Sequence, residues 1–285
     1  MKMLANIRVA TKVYGGFGTV LALLLVVAVV AFFGLNGAND NFGAYRGLAR
    51  ETNAAGRVQA NMLETRLQVK NFIIEANDKT IAGVREYAAK TLALAKDMRG
   101  LTHEPDSLRQ IDVIEKELAT YVATFEEVTK KQAAREEIVE KRMNVLGPQM
   151  EKGLTSIMES ANRDNDAAAA FKAGQVLRNL LLGRLYVQRY LVDNEESSYK
   201  RVKTELAEMR GKADQLFGEL QNPERRGLAD KVAKDVKDYE VAFDEVHTTI
   251  TERNALITGS LDKIGPSVAD KTEELKLGFL KEQDA

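Results

Sequence analysis

Two arginines stand where a helix would bury them. In LLLGRLYVQRYLV, residues 180–192, helical winding sets Arg184 among Leu180, Leu181, Val187 and Leu191. In NMLETRLQVKNFII, Arg66 is set in the same way among Met62, Leu63, Val69 and Ile73. A guanidinium rooted in an apolar stripe must be compensated, because desolvating it is expensive unless an anion pairs with it. Two sources of that anion are open. One is a small organic carboxylate, gripped by the planar two-pronged donor set that suits arginine to carboxylates. The other is internal, with Glu64, Glu127 or Glu245 pairing with the arginines at a helix seam, or the guanidinium snorkelling to water.

No other chemistry competes with these arginines. The sequence has no cysteine, which excludes disulfides and thiolate catalysis. His103 and His247 are the only histidines, far apart and at unrelated positions, so they are expected at the surface and no metal or haem site is expected. There is no nucleophile elbow, phosphate loop, zinc-protease motif or dinucleotide fingerprint. The reading is therefore of a protein that is not an enzyme and carries no cofactor. A net charge of −1 and the lack of a basic stripe with aromatics speak against nucleic acid. The clusters KKQAAREE and NPERRG read as solvated faces and turns, and Met62, Met143, Met150 and Met158 as core filling.

The arginines belong to a duplication. At an offset of 118, Ala55, Gly56, Val58, Asn61, Leu63, Arg66, Leu67 and Val69 recur as Ala173, Gly174, Val176, Asn179, Leu181, Arg184, Leu185 and Val187. The same ungapped offset carries Pro105 to Pro223, Tyr121 to Tyr239, Phe125 to Phe243, Arg135 to Arg253 and Gly147-Pro148 to Gly265-Pro266. Composition agrees with helices: 6% aromatics, four prolines and no tryptophan, with 29% charged and 45% hydrophobic residues, fit a folded all-α protein. Each copy reads as a helix, a turn, a shorter helix, a turn closed by a proline in a first helical position, and one long helix. The expected helices are 36–76, 79–100, 104–161, 165–194, 197–219 and 223–285. Gly147-Pro148 and Gly265-Pro266 should bend the long ones.

Helix lengths then suggest an arrangement. Six helices form two stacked four-helix bundles sharing two long helices. The proximal bundle takes about 36–125 with 250–285, and the distal one about 126–249. Summing rises of roughly 1.5 Å per residue from the membrane puts Arg66 at ~45 Å and Arg253 at ~48 Å. The same sum puts Arg184 at ~80 Å and Arg135 at ~73 Å. The expected proximal site is Arg66, Arg253, Tyr121 and Asn61, and the distal one Arg184, Arg135, Tyr239 and Asn179.

Residues 16–35, GFGTVLALLLVVAVVAFFGL, carry no charge and can cross a hydrocarbon core of about 30 Å. A cleaved signal peptide is the rival reading, though its apolar core should be only about 7 to 15 residues long. Lys2, Arg8 and Lys12 precede the segment, which places residues 1–15 in the cytoplasm and 36–285 outside.

Taken together, the entry IRVATKVYGGFGTVLALLL, the helix ends RLQVKNFIIEAND and RLYVQRYLVDN, the paired tyrosines and the terminal EQDA resemble the sensory portion of a bacterial chemoreceptor, a methyl-accepting chemotaxis protein of the helical bimodular type. The resemblance covers essentially the whole chain. It implies a periplasmic domain on the bacterial inner membrane, with two bundles each able to bind C2–C6 organic acids through arginines on facing helices. It also implies a homodimer that signals to a kinase and adaptor through a region beyond Ala285, of which this chain would be a fragment. On that pattern Arg66 and Arg253 map to the proximal pocket, and Arg184 and Arg135 to the distal one. Leu63 departs from dicarboxylate-binding relatives that carry a further cation there, with Arg57 as its substitute. Two other readings remain: the sensor of a histidine kinase that reads a periplasmic binding protein, and a membrane-anchored structural bundle with salt-bridged arginines.

Overall fold

The computed structural model describes residues 8–283. Lys2 and the end of the EQDA stretch lie outside them. Among the described residues the chain forms six helical rods and no strand. The first is α1, Val9–Ile74. The apolar segment and the following helix, expected as separate elements, are therefore one. Only the isolated glycines Gly37, Gly43 and Gly47 stand between them, and single glycines weaken a helix by roughly 1 kcal/mol without ending it. The membrane-length stretch packs against nothing in the chain, every residue from Val9 to Arg46 being exposed.

The second rod is α2, Asp78–Leu101. The third joins α3, Pro105–Ile138, to α4, Asn144–Arg163, through a π-helical turn at Val139–Met143. Then come α5, Ala167–Asp193, and α6, Glu196–Glu219. The last rod joins α7, Pro223–Leu256, to α8, Asp262–Gln283, through a second π turn at Ile257–Leu261. The two π turns are 118 residues apart, and each ends five residues before its proline, Pro148 or Pro266. A helix-interior proline lacks an N–H and crowds the carbonyl four residues back, and widening the turn upstream absorbs the misfit.

Local chemistry marks the ends. Asn222 accepts hydrogen bonds from Glu224 N at 2.9 Å and Arg225 N at 3.2 Å, capping α7 where Pro223 needs no acceptor. Asp166 caps α5 through Ala169 N at 3.1 Å. Asn194 ends α5 in the left-handed region at φ 55, a conformation asparagine tolerates better than most residues. Arg225, expected on a solvated turn, is buried and bound to Asp164 at 2.5 Å and Asp166 at 2.9 Å. Acids at the α4–α5 turn thus pair with both terminal nitrogens of this cation.

Two compact units divide the chain. One holds the residues up to Arg66, Glu86–Leu118 and those from Ser267 onward; the other holds Leu67–Arg85 and Ala119–Pro266. The first buries Val58, Met62, Met98, Ile111, Ile114 and Val268. The second has a core of Met150, Leu154, Ile157, Leu180, Val202, Leu206, Val236 and Phe243. The division differs from one at residues 125 and 250. Phe72 packs edge-on to Phe125 at 5.2 Å, and Arg85 and Lys70 bond Glu126 and Asp262 at 2.7 and 2.6 Å, so these residues all group in the second unit. The copy of the ring pair, Tyr190 on Phe243, has nearly the same geometry, at 5.6 Å. Phe243→Ala removes a fully buried ring from this core and is expected to cost about 3–5 kcal/mol. Urea unfolding of the second unit, followed by far-ultraviolet circular dichroism, checks it.

Candidate functional site

Three polar clusters occupy the second unit, and they sort the residues named from sequence. The first surrounds Arg184. It lines a cavity of about 210 Å³ with Tyr239, Asn144, Gln188, Leu181 and the π-turn residues Val139 and Met143. Among the described residues Arg184 makes no hydrogen bond and no ion pair. Of the acids offered as internal partners, Glu127 pairs with Lys130 at 2.7 Å, Glu245 pairs with Arg142, and Glu64 belongs to the other unit. Gly147 leaves room for the Arg184 guanidinium, since a side-chain carbon there would sit 2.8 Å from Arg184 Nε. Burial pushes the Tyr239 hydroxyl up to about 12, although the charge of Arg184 pulls the other way. At neutral pH the site therefore presents a cation and a neutral phenol donor.

The second cluster holds the arginines of the long helices. Lys131 to Glu252 at 2.6 Å and Thr124 to Ser260 at 3.3 Å fix α3 against the antiparallel α7 and the turn that follows it. That register brings Arg135 close enough to Arg253 for each charge to work against the other, whereas Arg135 had been placed level with Arg184. Arg253 donates to Gln132 Oε1, to Asn194 Oδ1 at 3.1 Å and to Asn254 Oδ1 at 2.9 Å, all neutral acceptors. Arg135 donates to the Leu191 carbonyl at 2.9 Å. Burial lowers the pKa of both arginines, and their mutual repulsion adds to the effect on Arg253. Tyr190 shares a hydrogen bond with His247 Nδ1 at 2.8 Å, and His247 stacks on Tyr199 at 3.7 Å. His247 is thus half-buried in an aromatic cluster and not on the surface.

The third cluster absorbs Asn179. Its amide donates to Glu205 at 2.8 Å and Glu208 at 3.1 Å and accepts from Lys212 at 2.6 Å, so it is spent on tying α5 to α6. In the first unit Asn61 donates to the Arg57 carbonyl at 2.9 Å within its own helix. Arg66 also belongs to the first unit, whereas Tyr121 and Arg253 belong to the second. Arg57 lines a wide hollow of about 880 Å³ with Arg46, Arg50, Asn53 and Lys96.

Of the residues named from sequence, the structure thus groups Arg184 with Tyr239 and Arg135 with Arg253. Asn144, Gln188, Gln132, Asn194 and Tyr190 were missed. Asn144 and Gln188 could have been found as neighbours one turn from Gly147 and Arg184 on their own helices.

The hollow beside Arg184 is thus lined by an arginine without an acid partner and by a neutral tyrosine, within an all-helical unit. Comparison with known families agrees: the model of the helical bimodular sensor domain matches residues 49–278, and the chain belongs to that family. Its N-terminal helix is long and apolar enough to cross a membrane, which is consistent with a membrane-anchored member of this sensor family. No curated protein matches the sequence.

Raising pH tests the assignment of Tyr239. Its hydroxyl stays protonated in the fold up to about 12 but ionises near 10 when unfolded, so the fold binds more protons between those values and loses stability across them. The stabilising contribution is fully present below pH 10. Tyr239→Phe should flatten the alkaline loss between about pH 10 and 12, measured by calorimetric melting with tyrosinate absorbance as the parallel readout.

Proposed function

We propose that this chain is the periplasmic ligand-sensing part of a transmembrane bacterial chemoreceptor and that its second unit binds a small organic acid in the Arg184 cavity. The observation that carries this is the arginine itself: it lines a hollow, meets no internal acid, and faces a neutral phenol donor. A carboxylate there would take the guanidinium fork, with Asn144, Gln188 and Tyr239 as further donors. The volume suits a C2–C6 acid. The chain binds and does not catalyse, residues 36–285 face the periplasm, and the receptor acts as a homodimer in the inner membrane with a kinase and adaptor downstream.

The signal follows from where the cavity sits. Its wall includes the π turn between α3 and α4, and Tyr239 belongs to α7, which continues through the other π turn into α8. A π turn is a place where a helix can change register at low cost. An acid that binds one packing of α5 against α7 more tightly than another shifts the population toward it, and no shift arises without that difference.

Titration calorimetry of the full chain in nanodiscs with C2–C6 mono-, di- and tricarboxylates tests the reading. At least one acid should bind, and Arg184→Ala should weaken it by roughly 1.5–3 kcal/mol, the range for hydrogen bonds to a charged group. Gly147→Ala should also weaken it, by driving a methyl into the guanidinium, while changing the melting temperature little. Heat of binding that Arg184→Ala leaves intact would refute the site.

A further inference from the structure

The first unit carries a hollow that the Arg184 site leaves unused. It is the one of about 880 Å³ beside α1 and α2, and every residue lining it belongs to the first unit. Arg46, Arg50 and Arg57 come from α1 and Lys96 from α2, against a single acid, Asp97. Arg66 and Asn61 do not line it. Elsewhere in this unit cations find acids: Arg99 pairs with Glu115 at 2.9 Å, Lys271 with Glu117 at 2.7 Å and Lys276 with Glu273 at 2.9 Å. Among the described residues none of the four cations of the hollow makes an ion pair, and Arg46 has only the ring of Phe42 at 5.9 Å. Four cations against one acid leave a surplus of three positive charges, all on exposed residues.

These cations are spaced for a rod. Arg46, Arg50, Asn53 and Arg57 follow one another at intervals of four, three and four, the spacing that keeps residues on the seam toward a partner helix. Arg46 to Arg57 covers three turns, about 16 Å. Ala54 and Leu94 in the same wall are buried, so the hollow is apolar at depth and charged at its edges. At Gly100 it is open, and a side-chain carbon added there meets nothing within 4 Å. A groove of this length, apolar within and charged along its rims, accepts an amphipathic helix. Two other occupants fit less well. Arg46 stands eleven residues beyond Leu35, the end of the apolar segment. That is about 16 Å of helix, whereas headgroups extend only about 5–8 Å past the hydrocarbon, so lipid stops short of the groove. A second copy meeting this face with its own would set arginines against arginines.

We propose that the groove between α1 and α2 docks an acidic amphipathic helix of another protein, apolar on the face that enters and carrying Asp or Glu along its edges. The carboxylates meet Arg46, Arg50 and Lys96, where exposed ion pairs govern approach and orientation more than affinity, and the apolar face meets Leu94 and Leu101. Since α1 runs unbroken into the membrane-length segment, a partner held here bears on that same helix. This input is separate from the Arg184 cavity and does not depend on what that cavity binds.

The test uses the full chain, one copy per nanodisc of zwitterionic lipid, and a labelled synthetic helix about four turns long, with Leu and Ala on one face and Glu along the edges. Fluorescence anisotropy should report binding, and a peptide of the same composition in scrambled order should bind about tenfold less, because it keeps the charge but loses the apolar face. R50E, and independently K96E on the other helix, should weaken binding about tenfold, one attraction being lost and one repulsion gained. Gly100→Phe keeps every charge and fills the groove, so it should abolish binding. All three substitutions fall at exposed helical positions, and unchanged melting shows that each variant folds. Binding that survives Gly100→Phe would mean diffuse attraction to a basic surface and overturn the proposal. A scrambled peptide that binds as well as the helix, or no binding by either, overturns it too. Binding seen with one copy per disc but lost with two would give the groove to a second copy, and the assignment would fall.

Discussion

The register between α3 and α7 is the constraint on which the polar sites of the second unit depend. These two helices are copies of one another and run antiparallel, held by Lys131 to Glu252 and Thr124 to Ser260. Equivalent positions on antiparallel copies can be level at only one place along their length. Here that place falls within about a turn of Arg135 and Arg253, so a residue that occurs once per copy meets itself. Sliding the pair by two turns would separate the arginines by about 11 Å, and the fit of Gln132 and Asn194 around Arg253 would be lost with them.

This explains why some of the arrangement was legible in the sequence and some was not. The apolar stripes, the turn residues and the offset of 118 specify helices and their ends, because those depend on neighbours close in the chain. Pro105 and Pro223 open helices as their chemistry requires, and the Arg184 and Tyr239 pairing survives because α5 and α7 are joined through a single short helix. The level of Arg253 was reached instead by adding rises through five helices and their turns. Errors accumulate in such a sum, and they left Arg253 about 25 Å away from Arg135 when the two in fact adjoin. Side-chain pairs such as Lys131 to Glu252 carry the missing information, and nothing in the types of those residues singles them out from other surface pairs.

Asn179 shows a second limit. It recurs in both copies next to an arginine, which made it look like part of a binding shell. In the structure it is 0% exposed and engaged by Glu205, Glu208 and Lys212, a network that includes the buried Glu205. A repeated polar residue can serve the packing of each copy without facing any ligand. The duplicated ring pairs carry the same message with a difference: Phe72 on Phe125 stays apolar, while Tyr190 on Phe243 gains a hydroxyl that reaches His247.

The paired π turns tie the lengths of the two copies together. A π turn arises when a helix accommodates one residue more than its ladder of hydrogen bonds was wound for, and that extra residue shifts every position after it. Val139–Met143 and Ile257–Leu261 keep the offset of 118 that also holds upstream at Arg135 and Arg253 and downstream at Pro148 and Pro266, without a gap on either side. Had either helix acquired its extra residue on its own, the two copies would fall out of step at that point. The widened turn and the proline five residues after it thus form one unit that both copies carry at the same place, so a change of length in one long helix would have to be matched in the other to keep their levels paired.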